Sequence, residues 1–271
     1  MESQSHMVLA PTATKIPQTA GGQVLVCGSH GGAYAGYLAA RAGVRAVVLN
    51  DAGVGLDQAG IGALLHCQAL GVAAATVAHT SARIGDAEDM LAHGIISHRN
   101  AIAAGIGVSP GMGCAEAGEL LGAAPPGSGA SASYAEARAQ MGENRHGLGI
   151  VCVDSVSLVV AEDAGRIVLS GSHGAIVSGQ RHLAISVAAA AAFYNDAGVG
   201  KDQAGISRLA VLDEQRIAAA TVAARSARIG DGCSTYESGI LSHVNITATG
   251  LGMAPGMSAR EAVEQVVAAI I

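Results

Sequence analysis

Asn50-Asp51-Ala52-Gly53-Val54-Gly55 returns as Asn195-Asp196-Ala197-Gly198-Val199-Gly200, and the match runs on without a gap at an offset of 145. Residues 50–117 and 195–262 agree at 37 of 68 positions, which marks an internal duplication. Upstream, Gly28-Ser29-His30-Gly31 matches Gly171-Ser172-His173-Gly174 at an offset of 143, so two residues entered the second copy between its His-Gly turn and its Asn-Asp turn. The expected organisation has four parts. Residues 1–7, containing Ser5-His6-Met7, read as a tag or disordered N-terminus. Residues 8–120 form the first repeat, 121–149 a Pro/Gly/Ser/Ala-rich linker with a short helix, and 150–271 the second repeat.

Within each copy, apolar runs alternate with Ala-rich stretches. Residues 24–27 and 167–170 end in glycine turns and read as buried strands. Residues 33–42 are helical in character, 46–49 form a second strand, 57–70 a helix capped by Asp57 (Asp202 in the second copy), and 72–77 a third strand. Strands joined by helices at this spacing must pair in parallel through crossovers. The fold class is therefore α/β: two tandem homologous three-layer modules, each with a mostly parallel sheet, related by pseudo-two-fold symmetry.

Composition supports this and excludes other classes. The 271 residues are 50% hydrophobic, 13% charged and 2% aromatic, with 38 Gly and no Trp. A charged fraction about half the usual quarter excludes a disordered chain, and a core without large rings must be built from closely packed small aliphatic side chains. The net charge is −6 and basic residues do not cluster, so nucleic acid is not an expected partner. Apolar stretches stop well short of the roughly 20 residues that cross a bilayer, so no membrane is expected, and without a signal-peptide pattern the expected location is cytoplasmic. A homo-oligomer is compatible with these features. Five cysteines, odd in number and without C-x-x-C spacing, indicate neither a disulfide framework nor a zinc knuckle.

Ligands bind at the carboxyl ends of strands in open parallel sheets. There the sequence places Ser29 and His30, then Asn50 and Asp51, then Arg83 and Asp86. The second copy places Ser172 and His173, Asn195 and Asp196, Arg228 and Asp231. Ser97-His98-x-Asn100 and Ser242-His243-x-Asn245, at what reads as a helix start, would close the same crevices. The expected catalytic residues are His30 and His173 as general acid/base, oriented by Asp51 and Asp196. Ser29, Asn50, Arg83, Asp86, His98 and Asn100, with Ser172, Asn195, Arg228, Asp231, His243 and Asn245, would contact a small polar or anionic substrate, the arginines as forks for a carboxylate or carbonyl. The plain alternative makes the His-Gly turns, Arg83 and Asp86 structural. No metal site and no cofactor are assigned, a divalent metal on His30, Asp51, Asp86 and His98 being the alternative.

The copies also differ. The first alone carries Cys27, His66, Cys67, His79 and His93; the second alone carries Lys201, Arg225 and Cys233. Cys233, two residues past Asp231, is the cysteine singled out for reactivity. Phosphate-loop, dinucleotide and nucleophile-elbow motifs are absent, and with only Lys15 and Lys201 no Schiff-base lysine is shared.

The motif order resembles that of caspase-like hydrolases, including the CHAT branch. Ser29-His30-Gly31 resembles the His-Gly element, and Asp51-Ala52-Gly53-Val54-Gly55 falls where that family has its nucleophilic cysteine. Ala52 and Ala197 occupy the cysteine position, so the resemblance, over roughly 60 residues per copy, implies His30 and His173 as site residues without the thiol mechanism. The function expected is a small-molecule hydrolase of an amide, cyclic amide or ester. The alternatives are an isomerase or lyase, or a non-catalytic small-ligand-binding or regulatory protein with duplicated sites.

Overall fold

Val24, Val26, Ala46, Val48, Ala73 and Ala75 alternate along their strands with Leu25, Cys27, Val47, Leu49 and Ala74, and this period of two feeds two separate cores. A computed structural model describes residues 7–127, 133–143 and 148–270. They form two units, each α/β with one mostly parallel sheet. Among the described residues no helix is long and apolar enough to cross a membrane.

The first unit comprises the residues up to Val54, Gln58–Ala135 and Gly200–Asp202. Its elements in chain order are β1 (Met7–Ala10), β2 (Val24–His30), α1 (Ala33–Arg41), β3 (Ala46–Asn50), α2 (Ala63–Ala69), β4 (Ala73–Val77), α3 (Ala87–His93), β5 (Ile96–Arg99), α4 (Ala101–Gly105) and α5 (Cys114–Leu121). The sheet order is β1-β2-β3-β4-β5, parallel except for antiparallel β5. On one face Ala35, Ala39, Ala63, Leu64 and Cys67 of α1 and α2 cover the sheet. On the other, Met90, Ala103, Cys114, Ala117 and Leu121 of α3, α4 and α5 do so.

The second unit comprises Gly55–Asp57, Glu136–Val199 and Gln203–Ile271. It contains β6 (Arg138–Glu143), β7 (Gly149–Val153), β8 (Ile167–His173), β9 (Ala191–Asn195), α6 (Arg208–Glu214), β10 (Ala218–Val222), α7 (Gly232–Ser238), β11 (Leu241–Val244), α8 (Ile246–Gly250) and α9 (Ala259–Ile270). The sheet order is β11-β10-β9-β8-β7-β6, with β11 and β6 antiparallel at its edges. Ala46↔Ala73 pairing in the first sheet has its counterpart in Ala191↔Ala218 in the second.

Several expectations change. Residues 1–6 of the expected tag lie outside the described residues, but Met7 begins β1, which pairs in parallel with β2. The expected linker lies partly outside them too, and its described part supplies strand β6. Arg138 anchors that strand by donating twice, at 3.0 and 2.8 Å, to the fully buried Asp163 carboxylate. The expected helix over 57–70 is a 3-10 turn, Leu56–Ile61, followed by α2. Asp57 and Asp202 are not caps, because both have φ 53°, in the left-handed region. Residues 96–99 form a strand, and only Asn100 caps a helix, α4.

The second unit has no helix in the place of α1. Two 3-10 turns, Val177–Gly179 and Arg181–Leu183, cross there instead. Arg208, 2% exposed, lies among them: it donates to the carbonyls of Ala175 (2.9 Å) and Ala184, with its guanidinium 4.6 Å from the centre of the Tyr194 ring. The Tyr194 hydroxyl donates to Ala184 O at 3.2 Å. At the positions 145 residues earlier in the sequence the first unit has Ala63 and Leu49, which belong to the same core cluster as Ala35 and Ala39 of α1.

Candidate functional site

Directly after β3 the chain turns left-handed: Ala52 (φ 49°), Gly53 (73°), Val54 (63°), Gly55 (70°), Asp57 (53°) and Gln58 (57°). After β9 the same run recurs at Ala197, Gly198, Val199, Gly200, Asp202 and Gln203, with φ between 50° and 75°. Each non-glycine residue there costs about 1–2 kcal/mol, and a β-branched Val is the least suited of all. Hydrogen bonds hold the turn: Ala52 N donates to Asn50 Oδ1 (2.9 Å), Gly53 N to Asp51 Oδ1 (3.0 Å), Val54 N to Asp51 O (2.7 Å) and Gly60 N to Val54 O (2.8 Å). A Cβ on Gly60 would lie 2.2 Å from Asp51 O, so only glycine fits. The most repeated stretch of the sequence is thus partly the signature of a strained turn, and strain of this kind collects at functional sites.

In the first unit this turn presents Asp51. Its Oδ1 accepts from the backbone N and from the Nδ1 of His79, both at 2.9 Å, and the nearby Ser97 hydroxyl also favours the carboxylate's charged form. Burial opposes the charge, but the donors of His79, Ser97 and Gly53 outweigh it and hold the Asp51 pKa below its ordinary value. An ionised Asp51 fixes the proton of His79 on Nδ1 and leaves Nε2 as the basic nitrogen. Ser97 Oγ lies 3.1 Å from both Thr76 Oγ1 and His98 Nδ1, extending the network along β4 and β5.

A second carboxylate lies next in sequence. Asp89 Oδ2 accepts from Arg83 N at 2.7 Å, and its Oδ1 is 2.9 Å from both Arg83 Nη2 and Lys201 Nζ. Burial opposes this charge as well, and the Arg83 and Lys201 donors win, lowering its pKa. Lys201 is placed by its own backbone N, which donates to His79 O at 2.8 Å. The two carboxylates are enclosed, at 5% and 2% exposed, whereas the side chains of His79, Lys201 and Arg83 keep 26, 25 and 40%. The result is a base and two cations over two buried anions.

The second unit keeps part of this. Asp196 Oδ1 accepts from Gly198 N (2.9 Å) and Ala224 N (2.8 Å), but Ala224 stands where the first copy has His79. Ser234 replaces Asp89 and accepts from Arg228 N at 2.9 Å.

The residues nominated from sequence divide accordingly. Asp51 holds His79, not His30, whose Nδ1 accepts from Gly32 N at 3.1 Å and whose pKa burial pushes down to about 4. His173, 7% exposed, accepts from Ala175 N at 3.2 Å in the same way. Asn50 and Asn195 donate to Ala82 O and Ala227 O while capping their own turns. Asn100 and Asn245 each accept from two backbone N–H groups and donate to two carbonyls. Ser29 accepts from Ala13 N, and Ser172 from Val156 N. Asp86 and Asp231 cap α3 and α7 through Oδ1 and pair with Arg83 and Arg228 through Oδ2. Both guanidiniums also bind a further carboxylate, Asp202 for Arg83 and Asp57 for Arg228. His98 joins the Ser97 network, and His243 Nδ1 is buried without a hydrogen-bond partner.

His79, Lys201 and Asp89 were missed. The signal available was their asymmetry, since each stands where the other copy carries Ala, Leu or Ser. Among the described residues no group of three or more His, Cys, Asp or Glu side chains is arranged to hold a metal ion. A cavity of about 60 Å³ lined by Gly22, Val44, Arg45, Val72 and Pro126 lies at the amino ends of β2, β3 and β4, the edge opposite Asp51. Compared with protein-family models, curated proteins and solved structures, the chain matches none.

Proposed function

We propose that the first unit is a small-molecule hydrolase acting on an amide, cyclic amide or ester, with His79 as general base and Asp51 as the residue that orients it. The observation that carries this reading is the 2.9 Å bond from His79 Nδ1 to a buried, ionised carboxylate. In this scheme His79 Nε2 takes a proton from water as the oxygen attacks the carbonyl carbon, and Asp51 stabilises the imidazolium formed. The imidazolium then returns the proton to the leaving nitrogen or oxygen as the bond to carbon breaks. Lys201 and Arg83, whose charges are offset by Asp89, Asp86 and Asp202, offer N–H donors that a substrate carbonyl oxygen can meet as its charge develops. The same acid–base pair suits an isomerase or lyase. The likeness to caspase-like hydrolases contributes only the expectation of polar groups at this sheet edge. We read the two units as copies of one module, supported by the shared strand pairing and the repeated left-handed turn, with the first copy specialised for chemistry.

The test is turnover of a panel of small lactams, imides and carboxylate esters followed by NMR. His79→Gln and Asp51→Asn are each expected to lower kcat/KM by at least about 100-fold. Unchanged turnover in both variants refutes the assignment. A second reading, a ligand-binding protein, is favoured by one observation: Asp196 keeps the turn and the carboxylate without any imidazole. Saturable binding of the panel without consumption of any member would select it.

A further inference from the structure

The second unit holds a pair of thiols that the proposed chemistry does not use. Cys152 on β7 is 1% exposed, Cys233 in the first turn of α7 is half-buried and packs against the same core cluster, and each thiol perturbs the other's ionisation. The backbones that carry them touch. A Cβ on Gly232 would lie 2.4 Å from Val153 O and 2.5 Å from Val153 N, so the backbone next to Cys233 is packed directly on the backbone next to Cys152; a disulfide needs Cα atoms about 4.4–6.8 Å apart. Gly232 N further donates to Asp154 Oδ1 at 3.2 Å, which fixes the start of α7 against the end of β7.

The first copy shows that this pairing is not dictated by the fold. Through the strand pairings Leu9↔Val26 and Cys152↔Leu169, Cys152 corresponds to Leu9, and Cys233 corresponds to Glu88 by the 145-residue offset. An aliphatic residue and an exposed acid serve there equally well. Both positions carry cysteine in the second copy alone.

We propose that Cys152 and Cys233 are a redox modification site, a dithiol that a hydroperoxide converts to an intramolecular disulfide tying β7 to α7. Cys233, the more accessible, reacts first. Its thiolate attacks the terminal peroxide oxygen, the O–O bond breaks, and the departing hydroxide or alkoxide takes up a proton, leaving a sulfenic acid. The sulfur of Cys152 then attacks the sulfenic sulfur as its own proton leaves with the expelled hydroxide as water. With hydrogen peroxide, two thiols and one peroxide give one disulfide and two waters. Burial, together with Asp231, Glu237 and Asp154 nearby, raises the Cys233 pKa, so the disulfide forms slowly and reduction is slow too, because a high-pKa thiol is a poor leaving group. Cys27, Cys67 and Cys114 are buried in the first unit, with thiols pushed up to about 11, 12 and 12 by burial, and serve as internal controls.

The experiment treats the reduced full chain with hydrogen peroxide, removes the peroxide, unfolds the chain in denaturant, alkylates the remaining thiols and maps peptides by mass spectrometry. The expected result is a loss of about 2 Da from the intact mass, a cross-linked Cys152–Cys233 peptide, three alkylated controls and reversal by dithiothreitol. Cys233→Ser, at the half-buried position, abolishes the cross-link; Cys152→Ser also abolishes it and leaves Cys233 to over-oxidise, so a folding failure of the core variant does not remove the test. The proposal is overturned if the parent chain gives sulfinic or sulfonic Cys233 without a cross-link, a disulfide between two molecules, or two alkylatable thiols after a free thiol in the same tube has been fully oxidised.

Discussion

Replacing Asn100 by Ala separates a ligand contact from a structural clamp. Its Oδ1 accepts from Ala74 N (3.2 Å) in β4 and Ala103 N (3.0 Å) in α4, and its Nδ2 donates to Val72 O (2.8 Å) and Leu64 O (3.4 Å). The side chain is buried, so its loss strands at least two N–H groups and one carbonyl out of reach of bulk water. Each orphaned group costs about 1–3 kcal/mol and the lost cap adds about 1 kcal/mol, of which relaxation recovers part, leaving about 3–5 kcal/mol. At about 2–4 °C per kcal/mol for a unit of this size, the thermal midpoint should fall by about 10 °C. Far-UV circular dichroism during heating and in urea reads this directly. Asn245→Ala should cost the second unit a similar amount, because its four partners, Ala219 N, Ala248 N, Ile217 O and Leu209 O, lie at 3.0, 2.9, 2.8 and 3.4 Å. If both variants melt within about 1 °C of the parent and lose only ligand affinity, the structural assignment of these asparagines is refuted.

Three further outcomes are expected. Asp51 has a folded pKa below its ordinary value, so its stabilisation is present above the ordinary carboxylate range and is lost as pH falls through the folded pKa; urea midpoints from pH 7 down to pH 3 should show a shallower acid loss in Asp51→Asn than in the parent. His30 stays neutral in the fold down to about 4 while the unfolded chain protonates near 6.5, so acidification across that window destabilises the parent by about 2 kcal/mol, allowing for partial exposure. His30→Asn, which keeps an acceptor for Gly32 N, should lack that slope, and an identical pH profile would contradict the burial argument. Val54→Gly relieves a left-handed β-branched residue and should leave stability unchanged or raise it by about 1 kcal/mol in urea titrations, whereas a loss beyond about 1 kcal/mol would show that the Val54 side chain, not the turn, is what the position needs.

The central strands were legible because 24–27, 46–49 and 72–77 are continuous small apolar runs that end at Gly, Asn or Ala-His, and nothing else in the chain competes for that reading. β1 was hidden because Met7-Val-Leu-Ala10 is short and follows Ser5-His6, and only pairing with β2 gives it a partner. Asp57 looked like a cap since it precedes an apolar stretch, but its φ of 53° is set by the tertiary turn and leaves no trace in composition. At the site, the sequence pointed to the carboxyl edge of the sheet but not to the partnership of His79 with Asp51 found there. Asn50 and Asn100 have the chemistry of ligands, and their amides are consumed by backbone groups of the neighbouring strand and helix. The imidazole on Asp51 comes from the end of the next strand, 28 residues on, and a repeat comparison that favours shared residues passes over His79 because its counterpart is Ala224.

The missing helix of the second unit has a kinetic consequence. Past the first turn of α1 the amide protons are held in a continuous ladder, so exchange with solvent requires several residues to open together. Over 175–184 that ladder is replaced by isolated 3-10 turns and by carbonyls hung on one guanidinium. Native-state hydrogen exchange should therefore find two sheets of matching strand order whose flanks open at different free energies, with the first proteolytic nick of the second unit falling between Ile176 and Ile185. Arg208→Met would lower that opening energy while β8 and β9 stay protected, so that one side chain sets the order in which this unit comes apart.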